Sequence, residues 1–422
     1  MKPEQITRRK RSFAITGLLI LMAILSSGCG RPVGTVTSDG VEAGRSAPKP
    51  PPALPQLVKT WLGNWERNFY GTGPIPDKPL KVIWQIKTGY ISGRLHPDGW
   101  GGTSWPGQPT VTRDTVYYPS ADGNVYSVNV KDGTINWKSK ATDSFKAAPT
   151  ILGDRIIASG LDHIIYCIDR NDGSLIWKFT AGFEIDGSVM EKDGRIYFGC
   201  EDSNFYALNL SDGSLVYKIQ LGGSMEGSGT AVDGRIYVGT ERGQLYCLNQ
   251  VDGKIIWQAP IGNGADSDST PAVHGDFVYT AAEDGYVRCF RKDNGQEVWK
   301  WKSDPGGSES GGRGGFWASP IVWENNIFLG SDNGNFYKLT MDGQMVWKTR
   351  MHMAVWGTSP IVDGKIIVGD KAGWVNILDP KDGRILTEIK IGDSVNATPA
   401  VLNGRIYIGA FMGQLYCLGF ED

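Results

Sequence analysis

Three observations predict an all-β chain closed into an eight-bladed β-propeller of four-stranded antiparallel blades. An Asp-Gly or Asn-Gly turn recurs with a period close to forty residues, and a large side chain usually stands four residues after its Gly. A short β-type run of the form Arg-Ile-Tyr recurs eight times ahead of that turn. The two ends of the pattern are complementary, because the last repeat lacks an outer strand and an unaccompanied outer strand precedes the first repeat. A period near forty with several strands per unit is that of one propeller blade.

The anchors of the turn pattern are Trp84, Trp137, Trp177, Tyr217, Trp257, Trp299, Trp347 and Thr387. All but the first follow a turn of the kind Asp172-Gly173 or Asn294-Gly295. Asp and Gly suit a hairpin because Gly takes positive φ freely and Asp bonds its own backbone. Within one repeat, Gly229–Ala231 begins an inner strand, Arg235–Gly239 forms the second, Gln244–Asn249 the third and Lys254–Trp257 the outer one. Val232-Asp233-Gly234, Glu241-Arg242-Gly243 and Asp252-Gly253 supply the turns, so the unit reads as an antiparallel meander. The final repeat stops at Tyr416-Cys417-Leu418-Gly419, and Val82-Ile83-Trp84-Gln85-Ile86 is the free outer strand. Joining them closes the ring and leaves no edge for aggregation.

The run Asp-x-x-x-Gly-x-x-x-Trp, as in Asp169 to Trp177, resembles the tryptophan-docking motif of PQQ-like (quinoprotein-type) eight-bladed propellers. The resemblance covers residues 81–422 and implies that Trp84, Trp137, Trp177, Trp257, Trp299 and Trp347 wedge between neighbouring blades. Tyr217 and Thr387 depart from the Trp, which implies weaker docking at the third and seventh blades. That class holds quinoprotein dehydrogenases and lipoproteins similar to the outer-membrane barrel-assembly lipoprotein (BamB) family. Quinoprotein dehydrogenases generally carry an adjacent Cys-Cys pair at the cofactor; this sequence has none, so no cofactor is expected.

Residues 1–29 read as a lipoprotein signal peptide. Arg8-Arg9-Lys10-Arg11 leads an apolar run from Phe13 to Leu25, and Ser26-Ser27-Gly28-Cys29 resembles a bacterial lipobox with Cys29 as the lipidated residue. Several acyl chains there give stable anchoring, at about 0.8 kcal/mol per buried CH₂. The other reading is an ordinary secretory signal cut near Gly28. Gly30 after the Cys, where an Asp would suggest inner-membrane retention, favours the outer membrane, facing the periplasm. Residues 30–56 form a tether rich in Pro, Gly and Ser, extended where Pro dominates. In residues 57–80, apolar positions spaced by three and four allow a short helix, with Trp61, Trp65 and Phe69 either packing on the propeller or serving as a partner-binding arm.

The formal net charge is −2 and becomes more negative once the basic leader is removed, which argues against nucleic acid as partner. Cys167, Cys200, Cys247, Cys289 and Cys417 read as small buried hydrophobes, since equivalent positions in separate blades lie too far apart for a disulfide.

Two long loops lead from an outer strand to the next inner strand, Gly89–Gln108 and Ser303–Ser319. They place Arg94, Trp100, Trp105, Arg313, Phe316 and Trp317 on one face, and Trp356 lies in an equivalent loop. Exposed aromatics and Arg on Gly-rich loops make interface hot spots, and packing at the channel mouth is the other reading. The same loops carry Asp143, Glu184, Asp186, Glu226, Asp266, Asp268, Glu309 and Asp393: a solvated acidic rim, a calcium site, or a surface for a basic partner. His96, His163, His274 and His352 show no metal spacing, and Gly306–Gly315 lacks the Gly-Lys-Ser/Thr ending of a phosphate loop. No catalytic residue and no metal ligand is therefore assigned.

The expectation is a non-catalytic, monomeric, lipid-anchored periplasmic scaffold for an envelope protein such as a component of an outer-membrane assembly machine. The alternatives are a PQQ- and calcium-dependent quinoprotein oxidoreductase, or a lipoprotein that captures a ligand or glycan as a sensor.

Overall fold

The Asp-Gly turn shows how each blade is built. Asp172 Oδ1 accepts the Ser174 amide at 2.8 Å, and Gly173 takes a φ of 77°. That left-handed angle costs Gly nothing and brings its bare Cα against the Trp137 indole of the preceding blade. The computed structural model describes residues 57–89, 107–262, 264–307, 312–411 and 413–421. Among them, thirty-two strands, β1 to β32 in chain order, form eight four-stranded antiparallel sheets. Blades are numbered here from the one after β1.

Blade four illustrates the unit: β14 (Thr230–Val232), β15 (Arg235–Thr240), β16 (Gln244–Asn249) and β17 (Ile255–Pro260) pair in that order. The outer strand runs three residues past Trp257, because Gln258, Ala259 and Pro260 continue the ladder opposite Tyr246, Leu245 and Gln244. A bulge falls just before each anchor, as between Cys247 and Leu248 opposite Trp257 and Ile255. A bulge adds twist and re-aims the next side chain, here the indole, toward the neighbouring blade.

The ring closes as the chain ends require. β1 (Leu80–Lys87) pairs antiparallel with β32 (Gln414–Phe420), placing Trp84 opposite Cys417 with a bulge between Val82 and Trp84. The bulge matches those of the other outer strands, so β1 is the outer strand of blade eight. β30 (Ala400–Leu402), β31 (Arg405–Ala410) and β32 complete that blade.

The six tryptophan anchors share one geometry. Trp84, Trp137, Trp177, Trp257, Trp299 and Trp347 each donate Nε1–H to a backbone carbonyl of the next blade at 2.9–3.2 Å. Tyr217 keeps the arrangement with its hydroxyl, which donates to Gln250 O at 3.1 Å. Thr387 has no such partner for a simple reason: blade eight draws its outer strand from the N-terminal side and has no third turn to receive an indole. Thr387 Oγ1 accepts the Leu80 amide at 3.3 Å instead. The cysteines fit the same scheme. Cys167, Cys247, Cys289 and Cys417 stand directly opposite Trp177, Trp257, Trp299 and Trp84, where a small side chain leaves room for the ring. All five described cysteines are free and buried.

Residues 57–79 contain no helix, unlike the pattern-based expectation. Leu62, Gly63 and Arg67 take positive φ, and apart from two local turns, Gly63 to Thr60 O and Arg67 to Asn64 O, the backbone bonds to blades. Val58 bridges Val111 of blade one, and the Ile151 amide of blade two donates to Lys59 O at 2.7 Å. The Ala231 amide of blade four donates to Trp65 O at 3.0 Å. Buried Arg67 donates Nε–H to Gly229 O at 3.1 Å, and Tyr70 donates to Val322 O of blade six. Gly71 bridges Val401 of blade eight. The segment thus crosses the ring on the side of the first and third turns. Among the described residues, no helix is long and apolar enough to cross a membrane.

Candidate functional site

In a meander, the second turn and the loop to the next blade share one edge. These loops and turns ring a central cavity of about 490 Å³, lined near its base by Trp61 of the crossing segment and by Gln108. Gln108 holds the two together, accepting the Leu62 amide at 2.9 Å and donating to Pro399 O at 3.0 Å.

Hydroxyl groups stitch the wall below the rim. Ser188 Oγ accepts the Ala148 amide, Ser228 Oγ the Ser188 amide, Ser319 Oγ the Thr270 amide, Thr358 Oγ1 the Ser319 amide and Thr398 Oγ1 the Thr358 amide, all at 2.8–3.1 Å. Each bond joins adjacent blades and satisfies an amide at the channel wall that would otherwise be orphaned.

Above this ring the wall is acidic over three consecutive blades. Blade three contributes Glu184, Asp186 and Glu201, blade four Glu226 and Glu241, and blade five Asp266, Asp268 and Glu283. Among the described residues the one basic lining residue is Lys146, whose Nζ lies 2.5 Å from Asp186 Oδ2. Five of these eight acids, Glu184, Asp186, Glu226, Asp266 and Asp268, belong to the loops read from the sequence. Glu201, Glu241 and Glu283 were missed. They occupy one column of the repeat, six residues after the start of the second strand, and their amides bond back to Glu184 O, Ser224 O and Asp266 O. Asp143 and Asp393 do not line the cavity. Glu309 lies outside the described residues, as do Arg94, Trp100, Trp105 and Cys29.

The aromatic loop residues divide. Phe316 is fully buried in the core beside Tyr337, and its amide donates to Ala282 O, so the expectation of an exposed Phe316 is corrected. The ring fills the space between blades five and six. Trp317 and Trp356 line the cavity with their rings stacked at 4.6 Å and 9°. Trp356 is 4% exposed, donates Nε1–H to Asp332 Oδ1 at 3.0 Å and has Lys371 Nζ over its ring, so it forms wall rather than outer surface. Arg313 is exposed. Phe183 and Met353 are exposed on equivalent loops that sequence reading passed over.

Crowding among the acids shifts their protonation. Burial, then Asp186 and Glu184, push Glu201 up to about 8. Burial followed by Asp266 lifts Glu283 to about 7, and burial followed by Glu241 lifts Asp266 to about 6. Glu226 and Asp268 rise well above the carboxylate range for the same two reasons. Burial alone would lower Lys146, but Asp186 and Glu226 outweigh it and hold the ammonium above its ordinary value.

The sign of the resulting pH dependence follows. Between the ordinary carboxylate range and pH 8 the folded chain holds protons that the unfolded chain has released, so stability falls as pH rises. The exposed turn residues Asp172, Asp212 and Asp252 are shifted downward by hydrogen bonds from the residue two ahead, so they titrate below this window. The melting temperature is therefore expected to fall from pH 5.5 to 8.5. Glu201→Gln is expected to recover about 1 kcal/mol at pH 8.5, after allowance for solvent screening. Urea titrations of both proteins at the two pH values check this; an equal effect of the substitution at pH 5.5 would contradict it.

Among the described residues, carboxylate oxygens of Glu184, Asp186 and Glu201 lie within 4.8 Å of one another, the one group placed to hold a cation. The described lining does not suit pyrroloquinoline quinone, itself a tricarboxylate, because it opposes eight carboxyl groups to a single lysine.

The family described as "Beta-alanine-activating enzyme, beta-propeller" matches residues 108–420. Among curated proteins, the chain is similar to the outer membrane protein assembly factor BamB of Legionella pneumophila, 27% identical over 152 residues, and to that of Escherichia coli K12, 30% identical over 159 residues. Each match spans 36% of this chain and 37% of the relative's length. Among solved structures, BamB from Moraxella catarrhalis superposes with a TM-score of 0.64 at 18% identity, over 81% of this chain and 98% of that one. A europium-containing methanol dehydrogenase superposes with a TM-score of 0.73 at 13% identity, over 87% and 99%. Both structural likenesses speak to the fold.

Proposed function

The chain belongs to the family described as the β-propeller of the β-alanine-activating enzyme, as a PQQ-like eight-bladed propeller related to BamB, and from that premise we propose that it is a non-catalytic, lipid-anchored scaffold of the bacterial envelope. Its interblade-loop face docks a protein of the outer-membrane assembly machinery, and Cys29 carries the anchor that holds it at the outer membrane, facing the periplasm.

The observation that carries this reading is the asymmetry of the ring. Residues 57–79 cover the side of the first and third turns, while the described residues of the opposite face present an acidic mouth beside exposed Arg313, Phe183 and Met353. Exposed apolar and Arg side chains on loops held by a rigid sheet framework suit partner recognition. Curated relatives named as outer membrane protein assembly factors supply the partner class.

Affinity capture from detergent-solubilised envelopes tests it. Wild type is expected to recover outer-membrane assembly components, and Arg313→Ala with Met353→Ala to recover several-fold less. Equal recovery by the two proteins overturns the choice of face. Removing residues 306–315 is the poorer probe, because Ser303 and Ser331 donate to Gly314 O and Gly315 O within that stretch.

A further inference from the structure

The acidic wall is more than a solvated rim. Among the described residues, Asp186 is held on one side only: Lys146 takes Oδ2, while Oδ1 is buried without a hydrogen-bond partner and the side chain is 5% exposed. A buried carboxylate oxygen left unpaired is costly, more so when charged, so a group that supplies a donor there is favoured. The same side chain lines the cavity and belongs to the close group with Glu184 and Glu201.

We propose that the channel is a binding site for a linear aliphatic polyamine, with one ammonium group held by Glu184, Asp186 and Glu201 and the chain running along the acids of blades four and five past the tryptophan wall. The close group accommodates an ammonium, since three oxygens each about 2.8 Å from one nitrogen lie about 4.6 Å apart and the separations are within 4.8 Å. Two features favour this ligand over a metal ion. The carboxyl groups continue over two further blades, beyond the reach of a single ion, and a chain with several ammonium groups can meet them in turn. Finally, Trp317, Trp356 and Trp61 give the cavity an apolar surface that methylene groups can cover and a hydrated ion cannot use. The volume, about 490 Å³, is in the range of small-molecule sites. Burial and the neighbouring carboxylates both raise Glu201 and Glu283, and among the described residues Lys146 is the one basic residue of the lining. Arg313 acts on Asp266 and Glu283 from outside the lining.

The test is isothermal titration calorimetry of the full chain in detergent, at pH 8 and fixed ionic strength, with spermidine, putrescine and calcium chloride as separate titrants. Spermidine is expected to bind saturably at one site, at least tenfold more tightly than putrescine, and to raise the melting temperature. Glu201→Gln with Glu184→Gln is expected to weaken it tenfold or more, and Trp317→Ala about fivefold. Circular dichroism checks that each variant is folded, and quenching of indole fluorescence by spermidine gives a second readout in wild type. Calcium binding at one site without spermidine binding overturns the proposal in favour of a metal. Non-saturating heats, or equal affinity in the glutamine variant, overturn it as nonspecific charge attraction. This reading is independent of the scaffold role: partner capture can fail while spermidine binds, and the reverse.

Discussion

Trp257→Ala is expected to destabilise the propeller by about 3–5 kcal/mol, as large-to-small changes at buried aromatics do. The indole is 7% exposed, donates to Lys292 O at 3.0 Å and lies against Gly295 of blade five. Its removal opens a void in the core shared by blades four and five, although Lys292 O keeps the bond from Arg235 Nη1 at 2.9 Å. The glycine is the second half of the device. A Cβ at Gly295 would lie 2.5 Å from Trp257 Cε3, and φ there is 73°. Gly295→Ala is expected to cost about 2–4 kcal/mol from strain and overpacking together. The double variant is the sharper test, since the new methyl then points into the space the indole vacated. Its loss in urea unfolding should be smaller than the sum of the single losses by more than 1 kcal/mol or so. Additive losses would mean that the ring and the turn do not act as one contact.

Removing residues 1–87 is expected to have a larger effect still. The truncation strips the outer strand from blade eight and exposes β32 as a long unpaired edge. It also takes away Trp84, which docks on Gly133 of blade one, and the whole crossing segment. An unpaired hydrophobic edge templates association with other chains. The expected product is aggregate or a mixture of oligomers in size-exclusion chromatography with light scattering, with no folded monomer. A monomer with a native-like melting transition would contradict the closure described above. A synthetic peptide of residues 57–87 is expected to restore some monomer if the truncated chain stays soluble.

What the sequence disclosed and what it concealed have a common physical basis. Asp-Gly turns and docking indoles are local signals with a fixed offset, so the blade count and the pairing of Val82–Ile86 with the last repeat could be read directly. The reason for Thr387 could not, because it depends on which turn is missing from the neighbouring blade. In the channel, Glu184, Asp186, Glu226, Asp266 and Asp268 stood out as loop acids, whereas Glu201, Glu241 and Glu283 looked like ordinary turn residues. Only stacking the repeats in register shows that these three share a column facing the axis. Phe316 was misread because a Gly-rich loop suggests exposure, yet its Gly residues let the chain fold down so that the ring enters the core. The periodicity of residues 57–70 suggested a helix because apolar spacing does not reveal that Arg67 and the backbone will bond to several different blades.

The functional account rests on one open face. Photo-crosslinking in intact cells tests it most directly, with a photoreactive residue placed at Arg313, Met353 or Phe183 on the loop face, and at Val251 or Asp193 on the turns of the opposite side. Crosslinks to outer-membrane assembly components are expected from the first three positions and none from the last two. Crosslinks to those components from Val251 or Asp193 alone would contradict it.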